Sequence, residues 1–124
     1  MTIRVLLVDE VGRTGLDVQL RVEGERVPLP PAIDLSAYRI VQEGLTNVRK
    51  HAQASHAEVI VRFEAGQLQI DIRDDGIGTS TGDGLGHGLV GVRERIRIYG
   101  GEMAAGPTAE GGFLLSTRLP IEGR

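Results

Sequence analysis

The sequence predicts an α+β fold, a two-layer sandwich in which one mixed, mostly antiparallel sheet carries helices on one face. Two observations predict it. Short segments alternate apolar and polar residues with period two, whereas two longer segments repeat apolar residues at three- and four-residue spacing. Their order along the chain is strand, helix, hairpin, helix, hairpin, an arrangement that leaves the helices to cover one side of a single sheet. At 124 residues and 13.3 kDa the chain is one domain's worth of sequence. The aromatic residues are Tyr38, Phe63, Tyr99 and Phe113, so the core must come mainly from Leu, Ile, Val and Ala on several elements.

Residues 3–8 form a short apolar run ending in Asp9-Glu10, read as an extra strand or tail over residues 1–13 ahead of a domain at 14–124. Val18, Leu20 and Val22 alternate with Gln19, Arg21 and Glu23 as in a half-buried strand, and Gly24 and the proline cluster at 28–31 end it. From Ile33 to about Ala54, Tyr38, Val41, Leu45 and Val48 repeat with helical period. Segments 57–63 and 68–73 flank Glu64-Ala65-Gly66 as a hairpin. The stretch 74–88, rich in Gly, Ser and Thr, reads as a loop. Leu89, Val92, Ile96 and Tyr99 restore the helical spacing until Gly100-Gly101 stops it. Two strands, 102–105 and 113–119, close the domain around the turn-forming 106–112.

Bulk properties exclude several function classes. A net charge of −3 with scattered arginines offers no basic field for nucleic acid. The absence of cysteine removes disulfide frameworks and thiolate metal sites and makes a cytoplasmic setting the default expectation. The histidines are not spaced as a metal triad, and no apolar run is long enough for a membrane span, so this segment is expected to make no membrane contact.

Three segments carry chemistry. On the first helix Asn47 lies about 40° from Glu43, and Lys50 falls back about 60° from Asn47, so the three share a stripe distinct from the apolar one. A carboxylate, an amide oxygen and an ammonium on one face suit a hydrated Mg²⁺ and the phosphates it bridges, although a solvated surface would look the same. Lys50 is the sole lysine beside thirteen arginines, a choice that fits a compact charge for phosphate. Next, Asp74, Gly76 and Gly78 stand where a strand gives way to a loop. There a carboxylate can accept from an exocyclic amine such as that of adenine, and glycine lets a flat ring approach the backbone; the same residues also make a good turn. Finally, Gly86-His87-Gly88-Leu89-Val90-Gly91 matches a dinucleotide fingerprint formally but follows a long loop instead of a strand. What survives is a glycine-rich turn at a helix N-terminus, favourable to phosphate, with residues 79–85 reading as a lid.

Taken together, Tyr38-Arg39-Ile40-Val41-Gln42-Glu43-Gly44-Leu45-Thr46-Asn47 with Lys50-His51-Ala52, then Asp74-Asp75-Gly76-Ile77-Gly78, then Gly86 to Arg95, resemble the ATP-binding catalytic domain of two-component sensor histidine kinases, in wording close to the nitrate-sensor-like subfamily. The resemblance extends over residues 16–121 and implies the Bergerat ATP-binding fold shared with Hsp90, gyrase and MutL. It implies ATP and Mg²⁺ as cofactors, with Asn47 as magnesium ligand and Glu43 as the catalytic residue handling protons or positioning water. Lys50 would contact phosphate, His51 would lie near adenine or ribose, Asp74 would take the adenine amine, and Gly76 and Gly78 would make room for the base. Gly86, His87, Gly88 and Leu89 would shape the lid and the phosphate end. The implied reaction is transfer of the γ-phosphoryl group to a histidine, with a response regulator downstream.

The resemblance has two gaps. His51 and His56 precede alanine and His87 precedes glycine, so none stands in an acceptor-helix context, and the implied partner is a histidine-bearing dimerisation domain outside this chain. The opening residues 1–10 read more like the first strand of a receiver domain than a kinase linker. Two other readings stay open at this level: a stand-alone serine kinase of the anti-sigma type, and a non-catalytic module that keeps the fold for protein contact.

Overall fold

The computed structural model describes residues 17–51, 55–76, 87–109 and 111–121, with the backbone alone for 49–51 and 87–89. The N-terminal run at 3–8 and the lid at 79–85 lie outside the described residues. In chain order the elements are β1 (Asp17–Glu23), α1 (Pro31–His51), β2 (His56–Glu64), β3 (Gln67–Asp74), α2 (His87–Ile98), β4 (Glu102–Pro107) and β5 (Phe113–Pro120). The five strands form one sheet in the order β1-β2-β3-β5-β4. β1 runs parallel to β2, and every other neighbouring pair is antiparallel. The expected mixed, mostly antiparallel sheet is therefore present.

α1 begins at Pro31, two residues earlier than the apolar period suggests. Proline suits the first helical position because its missing N–H has no helical partner there. The carbonyl of Pro30 accepts the first bonds, from Ile33 N at 3.0 Å and Asp34 N at 2.9 Å. The hairpin turns over Ala65-Gly66, pairing Glu64 with Gln67. α2 ends as its glycines predict. Gly100 has φ 83°, and Gly101 N–H reaches Ile96 O at 2.9 Å while Gly100 N–H reaches Arg97 O at 3.0 Å, the paired bonds of a Schellman stop.

The core lies between the helices and one sheet face. Ile40, Val41 and Leu45 of α1 and Ile96 of α2 pack with Val59, Val61, Leu68, Ile70, Ile72, Leu115 and Leu119, all buried. Each such side chain contributes about 1.5–3 kcal/mol relative to exposure. Gly44 lets α1 lie close to the sheet, since a Cβ there would fall 2.4 Å from Ile72 Cδ1.

The opposite sheet face is polar and internally paired. Arg62 donates from Nε to Glu23 (2.9 Å) and from Nη1 to Asp71 (2.9 Å), and Ser116 Oγ donates to the other Asp71 oxygen at 2.8 Å. This row crosses β1, β2, β3 and β5, so the face satisfies its own charges without a further layer.

Candidate functional site

The alternation that points Leu68, Ile70 and Ile72 into the core points Asp74 the same way, and this last residue of β3 is only 6% exposed. Its Oδ1 accepts from Gly76 N–H at 2.8 Å, closing a turn at the strand end. Burial pushes the Asp74 carboxyl up from its ordinary value; the Gly76 bond opposes this, and the neighbouring Asp75 charge adds to it. Oδ2 takes no hydrogen bond from the described residues.

On α1, Glu43 and Asn47 are half-buried, flanked by the buried Ile40, Leu45 and Val48. Glu43 also lines a groove of 280 Å³ between α1 and α2, with Arg39 and Arg95. Lys50 and His51 occupy the last turn of the same helix, and His87, Gly88 and Leu89 form the first turn of α2, by backbone. Gly76 is buried beside Asp74, whereas Gly78 and Gly86 lie outside the described residues. Among the described residues no three His, Asp or Glu side chains gather as a metal-binding group.

Sequence reasoning missed two residues beside Asp74. Phe113 pairs with it across β3 and β5 and is buried, giving the carboxyl an apolar neighbour. A Cβ on Gly112 would lie 2.0 Å from the Asp74 carbonyl oxygen, so only glycine fits there. Gly112 belongs to a turn-forming run, which signalled a bend and not a close approach.

The comparisons with known proteins show the family. Residues 33–123 match the family of histidine kinase-, DNA gyrase B-, and HSP90-like ATPases, and the chain belongs to that family. Within it, the chain is an ATP-binding domain of the histidine kinase kind. Sensor histidine kinase YxjM of Bacillus subtilis is 36% identical over 110 residues, covering 88% of this chain and 27% of that protein. The histidine-protein kinase/phosphatase DegS of Brevibacillus brevis is 32% identical over 111 residues, covering 87% and 28%. The chain thus spans about a quarter of the length of these relatives. The Acinetobacter baumannii histidine kinase AdeS superposes with a TM-score of 0.74 at 15% identity, over 98% of this chain and 62% of that one, which shows the shared fold. No helix among the described residues is long and apolar enough to cross a membrane.

Proposed function

We propose that this chain binds Mg-ATP between the end of β3 and α1 and serves as the catalytic part of a sensor histidine kinase. The acceptor histidine would stand on a dimerisation domain outside the chain, on the cytoplasmic side, with a response regulator as the next acceptor. The observation that carries the reading is Asp74: a buried carboxyl at the end of β3 in an ATPase-family fold, with one oxygen tied to Gly76 and the other taking no donor among the described residues. That second oxygen fits an adenine amine. Asn47 offers an amide oxygen from a half-buried position on α1, which fits a magnesium ion that keeps waters and shares phosphate oxygens.

When bound, ATP supplies the phosphoryl group and Mg²⁺ neutralises charge on it. The chain's own residues then bind and orient. Asn47 would hold the metal through its amide oxygen, Glu43 would handle protons or position water, and Lys50 would contact phosphate. By the family resemblance His51, Gly76, Gly78, Gly86, His87, Gly88 and Leu89 would border the nucleotide. Catalysis by such a domain is mostly positioning and charge neutralisation.

The test is titration calorimetry with ATP, with and without Mg²⁺, on the wild type and Asp74→Asn. Binding should require magnesium for full strength, and the variant should lose about 1–3 kcal/mol, as expected for a buried acceptor replaced by a donor. A folded wild type that binds no ATP would refute the reading. Incubation with radiolabelled ATP and an acceptor domain should then give an acid-labile histidine label; an acid-stable label would indicate a serine kinase instead.

A further inference from the structure

Asp75 directly follows Asp74 yet is exposed where Asp74 is buried. Its carboxylate accepts three hydrogen bonds, all from the two residues that open β2. Ser55 N–H (3.1 Å) and His56 N–H (3.0 Å) reach Oδ1, and Ser55 Oγ (3.0 Å) reaches Oδ2. Asp75 N–H in turn donates to His56 O at 3.2 Å. The same dipeptide is gripped from β1, where Asp17 N–H donates to Ser55 O at 3.2 Å and Asp17 Oδ2 lies 3.0 Å from His56 Nδ1.

Ala57 and Asp74 form the last pair of the β2–β3 ladder, and beyond them a single backbone bond, Asp75 N–H to His56 O, joins the two strand ends. The Asp75 side chain reinforces that junction. It ties the residue after Asp74 to the stretch entered four residues past His51, the end of the helix that carries Glu43 and Asn47. Burial, the largest single influence on Asp75, acts upward, but the bonds from His56 and Ser55 together outweigh it and hold the carboxyl below its ordinary value. The ionised form is therefore the one that clasps.

We propose that Asp75 is a positioning residue for nucleotide binding: by clasping Ser55 and His56 it fixes the strand end from which Asp74 presents its second oxygen to the base. The inference rests on the ATP-binding reading and assigns a residue that touches no nucleotide itself. Without the clasp, the turn at Gly76 is free to fray and the Asp74 carboxyl loses its fixed direction, and displacements of this kind weaken a directed contact sharply.

The test measures ATP and adenosine binding by calorimetry for the whole chain, as wild type, Asp75→Ala and Asp75→Asn, with circular dichroism confirming the fold. Asparagine keeps one oxygen for the two backbone donors and offers an N–H₂ to Ser55 Oγ, so it should rescue. Asp75→Ala should weaken ATP and adenosine by the same factor, about tenfold, with Asp75→Asn within about threefold of the wild type. Equal loss for adenosine locates the effect at the base end, and rescue by asparagine separates it from general loosening. A folded Asp75→Ala that binds both ligands like the wild type overturns the proposal, as does a loss confined to ATP. If Asp75→Ala does not fold, Ser55→Ala decides: a shared loss of about threefold supports the clasp, and no loss overturns it. Absence of ATP binding by the folded wild type overturns the ATP-binding reading and the clasp's role together, whereas a normal wild type with an indifferent Asp75→Ala overturns the clasp alone.

Discussion

Gly112→Ala puts a single methyl group where the structure has no room for it. The added carbon would lie 2.0 Å from the Asp74 carbonyl oxygen and 3.1 Å from its carbonyl carbon. Ordinary contact needs about 3.4 Å, so the strand ends must part by roughly 1 Å or more. The atom in the way is backbone, which cannot swing aside like the end of a side chain. Phe113 and Asp74 are the last pair of the β3–β5 ladder, so the separation falls on that pair and moves the carboxyl itself. Overpacking of this kind costs about 1–3 kcal/mol. The melting temperature should drop by about 3–15 °C for a domain of this size. Urea denaturation gives the energy, with Gly106→Ala as control, because a Cβ at Gly106 meets nothing within 4 Å. The control should stay within about 0.5 kcal/mol of the wild type. ATP affinity should fall in Gly112→Ala and not in the control. A Gly112→Ala protein as stable as the wild type would refute the argument that the carbonyl of Asp74 closes this space.

Three further outcomes are expected. Thr117 is 1% exposed, and its Oγ1 has no hydrogen-bond partner among the described residues, so Thr117→Val should raise the unfolding free energy by about 1 kcal/mol in urea titration. Arg62→Ala strips the cation from Asp71, whose side chain is 13% exposed, and should cost about 1–3 kcal/mol by the same assay. Asp75 has its folded carboxyl held below the ordinary value of 3.8, so its charged form adds stability that is present above that value and lost as pH falls through the lowered one. The wild type should therefore exceed Asp75→Asn in urea midpoint near neutrality, and the gap should close below about pH 4.

Most elements were legible because burial imposes a period. Leu68, Ile70 and Ile72 announce a strand with one face inward, and Val41, Leu45 and Val48 announce a helix, whatever lies around them. Boundaries were less legible where a local effect sets them: α1 starts at Pro31 because proline fits the first helical position, which apolar spacing does not register. Of the candidate site, Asp74 was singled out by its spacing to Gly76 and Gly78 at a strand end, and the structure places it at the inward phase of β3. Phe113 could not be singled out, because its place opposite Asp74 depends on the pairing of β3 with β5, and that register is not written in either segment alone. The Ser55, His56 and Asp75 clasp joins positions about twenty apart with no period linking them, so only the folded chain brings them together.

The parallel pairing of β1 with β2 also orders events in time. Asp17 meets His56 across 39 residues, and Ser116 meets Asp71 across 45, whereas β2 and β3 meet through a two-residue turn. Closing the long segments costs chain entropy before any contact repays it, while the short turn costs little. The β2–β3 hairpin is thus the element able to form early, whereas β1, like β4, lies at an edge with one described neighbour. Backbone amides of β1 should exchange with solvent deuterium well before those of β2 and β3.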